Sequence, residues 1–123
     1  MFFRYSFPVA RHGELLSVTR YVDSDHNPTR KDLLTLFRAE LGEAKSKATE
    51  INSEAAWREV KNIEGCIYAL DHVKHPDMPH LPTNGLNDIP IFCTTEVGPS
   101  TIRVTLINPL VIEPPRLRLA VGD

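Results

Sequence analysis

The sequence predicts an α+β domain in which amphipathic helices pack on one face of an antiparallel sheet. Three observations predict this class. Two segments of alternating apolar and polar residues surround a turn near the N-terminus. A long segment with apolar residues every three or four positions follows, and two β-branched segments lie near the C-terminus. Because 123 residues is close to the commonest domain size, we expect one domain over residues 1–123.

The N-terminal segment predicts a β-hairpin. Apolar side chains stand at every second position before His12-Gly13, and residues 15–22 alternate in the same way after it. The apolar positions of the first strand are Phe3, Tyr5, Phe7 and Val9. Pro8 cannot donate a hydrogen bond to a neighbouring strand, so we expect the first strand, or its end, at a sheet edge.

A long helix is predicted to begin at Pro28 or Thr29. Thr29 and Asp32 have the spacing of a capping box, in which each side chain accepts a hydrogen bond from the other residue's backbone. The predicted buried stripe comprises Leu33, Phe37, Leu41, Ala44, Ala48 and Ile51, and Arg38, Glu43, Lys45, Lys47 and Glu50 are predicted to stay exposed. Gly42 inside this helix marks a bend or a close approach.

The polar pair at residues 52–53 can end this helix and cap a second one. A second apolar stripe, Ala56, Trp57, Val60 and Ile63, ends at Gly65, which is a plausible residue to terminate a helix. One bent helix and two consecutive helices both fit this pattern. Residues 66–73 fit a buried strand or a continued helix, and we favour the strand.

The C-terminal third predicts a loop and then a second hairpin. Prolines and an Asn-Gly pair over residues 74–90 predict a long loop without regular structure. Residues 91–97 and 101–107 read as two strands around a turn at 98–100. Residues 110–112 and 116–121 remain as short edge strands or a docked tail.

Composition places the chain among ordinary globular proteins. Apolar residues make up 41% and charged residues 24%, with a formal net charge of -2. The net charge gives no general attraction to nucleic acid, and no segment is apolar enough for a signal peptide or a membrane span. Two distant cysteines fit free thiols in a reducing compartment, so we expect a cytoplasmic protein without membrane contact.

The densest group of chemically useful side chains lies in the predicted loop. His72, His75 and His80, with Asp71 or Asp77 beside them, could bind zinc or another divalent cation. Their spacing matches no established metal motif, and solvated loop histidines are the plainer interpretation. The sequence has no Gly-rich phosphate loop and no nucleophile motif, so it predicts neither a nucleotide cofactor nor any catalytic residue.

Protein recognition is the remaining class of function. Phe2 and Arg4 on the first strand, Tyr21 on the second and Arg103 near the C-terminus are the candidate contact residues. They are too sparse to predict a nucleic-acid surface. We therefore expect a non-enzymatic interaction protein that self-associates, as in a homodimer, or binds another protein. An inhibitor or accessory protein of a phage or mobile element is one example. The alternative is a small metal-binding domain or metal-dependent enzyme built on the histidine loop.

Overall fold

A β-hairpin begins the fold, as predicted. The computed structural model describes residues 1–74, 80–91, 95–97, 100–107 and 117–118. Strands β1 (Phe2–Arg11) and β2 (Glu14–Asp23) pair antiparallel from one end to the other. His12 (φ 54°) and Gly13 (φ 79°) between them are both left-handed, which is the backbone of the tight turn that matches strand twist.

In the described part of the chain, six strands form the sheet, in the order β3-β4-β5-β1-β2-β6. After the hairpin these are β3 (Val73–Lys74), β4 (Thr95–Val97), β5 (Ser100–Ile107) and β6 (Leu117–Arg118). Strand β4 joins β5 as the predicted C-terminal antiparallel hairpin, whereas β6 runs parallel to the end of β2. Residues 92–94, 98–99, 108–116 and 119–123 of the predicted C-terminal strands and turn lie outside the described part of the chain.

Pro8 lies in β1, which is an interior strand, but it lies beyond the end of the ladder between β1 and β5. Strand β5 pairs with β1 from Phe2 to Ser6, and Pro8 follows beyond that ladder, opposite Ser17 of β2. Only the end of β1, beyond its pairing with β5, is therefore at a sheet edge, and there the missing N–H of Pro8 breaks no ladder with β5.

Two helices cover one face of the sheet. Helix α1 (Arg30–Ile51) begins with the predicted capping box between Thr29 and Asp32. It ends at Asn52, which is left-handed, and Ser53 then caps α2 (Glu54–Asp71). Of the two arrangements that fitted the sequence, the structure has two consecutive helices.

The core lies between the helices and the inward face of β1, β2 and β5. Phe7 packs edge-on against Phe37, with ring centroids 5.5 Å apart. The larger side chains that are fully buried include Phe3, Tyr5, Phe7, Val22, Leu33, Phe37, Ile63, Leu70, Val73 and Ile102. This alternation along β1 and the three-to-four spacing along the helices are those that the sequence predicted.

The preference for a strand over residues 66–73 is wrong. Helix α2 continues through these residues to Asp71, and only Val73 belongs to a strand. Cys66, Ala69 and Leu70 are buried with Ile63, and this spacing continues one helical face. Gly65 therefore does not end the helix; it lies inside α2, against Val9 of β1.

Two residues of the predicted apolar stripes are exposed. Ile51 is 54% exposed and Trp57 is 40% exposed. Ile51 is the last residue of α1, and Trp57 lies in the first turn of α2. Gly42, in turn, has open space where a Cβ would lie, so it marks no close approach.

The predicted loop contains short regular structure, since its first residue, Lys74, belongs to β3. Residues Thr83–Leu86 form a 3₁₀ turn with Leu86 buried, which corrects the prediction of no regular structure there; residues 75–79 lie outside the described part. Two hydrogen bonds then attach Ile91 to the rest of the fold. The Ile91 N–H donates to the Pro28 carbonyl at 2.7 Å, and the Tyr5 hydroxyl donates to the Ile91 carbonyl at 2.9 Å.

Within the described residues, neither helix combines the length and the apolar character needed to cross a bilayer.

Candidate functional site

The four predicted contact residues lie on one face of the sheet, opposite the helices. In the strand register Arg4 is paired with Tyr21, and Ser6 is paired with Arg103. Phe2 and Arg4 share one face of β1 because side chains alternate along a strand. The structure thus brings together Phe2, Arg4, Tyr21 and Arg103 on a surface that we name the open face.

The open face combines exposed cations with partly buried aromatic rings. Arg4 and Arg103 are exposed, whereas Phe2 and Tyr21 are half-buried. Between them the side chains are small and polar, and the Ser6 and Ser17 hydroxyls hydrogen-bond across β1 and β2. Arginine and aromatic residues are enriched in protein interfaces because they combine apolar contact with polar groups.

The predicted metal ligands are only partly described. His72 ends α2 and is exposed; its Nδ1 lies 2.8 Å from the Tyr68 carbonyl, and its ring stacks on the Tyr68 ring with centroids 4.1 Å apart. A carbonyl only accepts, so Nδ1 is the donor of this hydrogen bond. His80 is exposed, and His75 and Asp77 lie outside the described residues. In the described part of the chain, no three His, Cys, Asp or Glu residues form a group that could hold a metal ion. The histidine-loop site stays a prediction.

A histidine between two carboxylates lies at the start of α1. His26 Nδ1 is 2.7 Å from Asp25 Oδ1, and its Nε2 is 2.9 Å from Asp32 Oδ2. These hydrogen bonds raise the pKa of His26, because only the doubly protonated ring donates to both carboxylates. The hydrogen bond from His26 also holds the pKa of Asp25 below its usual range.

Asp32 links this histidine to the helix cap. Burial works to raise the pKa of Asp32, but hydrogen bonds from Thr29 and His26 outweigh it and the pKa is lowered. The sequence showed Asp25 and His26 as neighbours and Asp32 as a cap residue. It did not show that the turn would place the ring between them.

Arg30 is a buried cation that the sequence analysis missed. Its Nε donates to the Leu70 carbonyl at 2.6 Å, its Nη2 to Asp71 Oδ1 at 3.0 Å, and its Nη1 to Asn87 Oδ1. It therefore joins the start of α1, the end of α2 and the segment after the 3₁₀ turn. A guanidinium at the C-terminal carbonyls of a helix is also favourable for the helix dipole.

Cys66 does not have the surroundings of a nucleophile. It is fully buried in α2, and burial raises the pKa of its thiol to about 12. The nearby Arg20 opposes this shift without overcoming it. A thiol that stays protonated at neutral pH is a weak nucleophile, so Cys66 acts as a small apolar core residue.

Among these groups, the open face is the one that presents two exposed arginines, Arg4 and Arg103, side by side on a sheet. The Arg30 cluster and the His26 cluster both fix the ends of helices. In comparisons with protein-family models, with curated proteins and with solved structures, no match to this chain was found.

Proposed function

We propose that this protein is a non-enzymatic binding protein whose open face holds an acidic surface of a partner protein. The observation that carries the proposal is that Arg4 and Arg103 are exposed on the sheet face that neither of the two described helices covers. Binding of this kind lets a small accessory protein, such as one encoded by a phage or mobile element, inhibit or adapt a larger partner.

The charge of the open face favours a different protein over a second copy. A two-fold dimer brings the same patch of both copies together, so the patch that holds Arg4 and Arg103 would face the same cationic patch of the other copy. Like charges placed across an interface are costly. A partner that presents carboxylates would instead pair with both guanidinium groups, and bidentate pairs of this kind are strong and directional.

The test uses an acidic peptide and a matched pair of charge reversals. A 15-residue polyglutamate peptide is titrated into the isotopically labelled protein, with polylysine as the charge control, and amide shifts are followed by NMR. We expect shifts on β1, β2 and β5, their loss in Arg4→Glu/Arg103→Glu, and their retention in Arg38→Glu/Lys47→Glu, whose two positions are exposed on α1. Circular dichroism checks that each variant folds.

Two results would overturn the proposal. One is polyglutamate binding that the Arg4→Glu/Arg103→Glu variant keeps, since the arginines would then not be the contact. The other is a concentration-dependent dimer in sedimentation that this variant abolishes, because the open face would then bind a second copy.

A further inference from the structure

A second surface, separate from the open face, lies where the β1–β2 turn meets α2. Six residues line a cavity of about 600 Å³ there: Arg11, His12, Glu54, Trp57, Arg58 and Lys61. We name it the turn cleft. Its volume is within the range of small-molecule sites. The four α2 residues follow the spacing i, i+3, i+4 and i+7, so they form one stripe along that helix, and Arg11 and His12 belong to the hairpin.

The turn cleft is positively charged in a chain whose formal net charge is -2. Arg11, Arg58 and Lys61 stand against the single carboxylate of Glu54. Arg58 and Glu54 pair at 3.2 Å, but their side chains are 54% and 90% exposed. Such an exposed pair contributes little, so an incoming anion can replace Glu54 as the partner of Arg58.

Two residues of the cleft are held in fixed positions. The Trp57 indole N–H donates to Asn52 Oδ1 at 3.1 Å, and Arg11 Nη1 donates to Asn62 Oδ1 at 2.9 Å. The first bond orients a large aromatic ring that is 40% exposed. The second positions a guanidinium while leaving its charge unneutralised. Groups that are already oriented lose less entropy when a ligand binds.

We propose that the turn cleft binds a nucleotide, with the base stacked on Trp57 and the phosphate held by Arg11, Arg58 and Lys61. Aromatic faces stack bases of any sequence, and cations beside them hold the phosphate. The site uses side chains in place of the backbone amides of a Gly-rich loop, so a phosphate-loop motif is not required for it. A free mononucleotide and a nucleotide within a single strand share this chemistry.

A second cationic cavity fits this ligand less well. It lies beside Arg30, with Lys31 and Arg38 on its wall. Asp88 lines it as well, and Arg30 already pairs with Asp71. The lining contains no aromatic ring, so a base has no surface on which to stack.

Trp57 is the only tryptophan of the chain, so its fluorescence reports on the cleft directly. Adenosine monophosphate is titrated into the protein. Ribose 5-phosphate tests the phosphate contacts alone, and adenosine tests base stacking alone. We expect saturable quenching by the complete nucleotide that weakens with added salt. Arg58→Ala/Lys61→Ala should weaken binding by at least about tenfold, since two charge-assisted contacts are lost. The control Lys45→Ala/Lys47→Ala, on α1, should bind as the wild type does.

Calorimetry extends the test to Trp57→Ala, which lacks the fluorescent group. Loss of one stacked base should weaken binding about tenfold or more, and the exposure of Trp57 lets the variant keep its fold, which thermal melting checks. A ten-nucleotide oligothymidylate that binds at least tenfold more tightly than the monophosphate identifies a single strand as the source.

The inference is overturned by an absence of saturable binding. It is also overturned if ribose 5-phosphate binds as well as the complete nucleotide, or if Arg58→Ala/Lys61→Ala has no effect. Arg4→Glu/Arg103→Glu should leave nucleotide binding unchanged, so this result is independent of the outcome at the open face.

Discussion

A single added methyl group at Gly65 tests how closely α2 lies on β1. A Cβ at this position would lie 2.4 Å and 2.8 Å from the two Cγ atoms of Val9 and 3.1 Å from its Cβ. Valine branches at Cβ and has few χ1 rotamers, so its Cγ atoms cannot turn far from the new Cβ, and its own Cβ is fixed to the strand backbone. The helix and the strand must therefore move apart in Gly65→Ala.

The expected size of the effect follows from two opposing contributions. Overpacking a core costs about 1–3 kcal/mol, while replacing glycine by alanine inside a helix gains about 1 kcal/mol. Gly42→Ala in α1 is the matched control, because nothing lies within 4 Å of its added Cβ. The helix-propensity gain is common to both variants. Gly65→Ala should therefore be less stable than Gly42→Ala by about 1–3 kcal/mol, the overpacking cost alone.

Urea unfolding followed by circular dichroism measures both free energies of unfolding. A third variant, Val9→Ala, removes the two methyl groups that the new Cβ would meet. In a double-mutant cycle, Gly65→Ala should cost at least about 1 kcal/mol less in the Val9→Ala background, as expected for residues in contact. The reasoning fails if Gly65→Ala stabilises the protein as much as Gly42→Ala does, or if the two substitutions are additive.

Three further predictions concern buried and charged groups. Because the pKa of His26 is raised in the folded state, its contribution to stability should be complete below the unfolded pKa of about 6.5 and be lost as pH rises through the folded pKa. His26→Gln should remove this pH dependence, which urea unfolding measures. The change in the free energy of unfolding should be less than about 1 kcal/mol, because the ion pairs of His26 are exposed. Arg30→Met should lower the free energy of unfolding by about 2–4 kcal/mol, since Leu70 and Asn87 lose their donor, whereas exposed Arg38→Met should change it by less than about 0.5 kcal/mol. In a Cys93→Ser background, Cys66 should react with a thiol reagent only at the rate of unfolding, and rapid labelling of the native protein would contradict its burial.

Local rules predicted most of the secondary structure. The hairpin turn and the cap at Thr29 each depend on a few neighbouring residues, and both were found where the sequence predicted them. At residues 52–53 the sequence fitted one bent helix or two helices, and the structure has two. The prediction of a strand at residues 66–73 was wrong because the segment is too short for its periodicity to be decisive. A segment of eight residues fits either period, and only the packing of Cys66 and Leu70 beside Ile63 distinguishes a helix from a strand here.

The candidate sites were less predictable because they depend on distant segments. Alternation placed Phe2 and Arg4 on one face, but Tyr21 and Arg103 join them only through the strand register. Arg30 meets partners that lie 40 to 57 positions away in the chain. Helical spacing put Trp57 on an apolar stripe, and it could not show that neither the sheet nor α1 would cover the ring.

The central position of β1 has a consequence for synthesis of the chain. Its partner β2 follows immediately, and the helices come next, so these parts can associate early. Strand β5 ends at residue 107, and its ladder joins Phe2 to Ile107. Until that strand leaves the ribosome, one side of β1 has unpaired backbone groups. Such an edge can pair with other chains, and we expect truncated forms that lack β5 to aggregate.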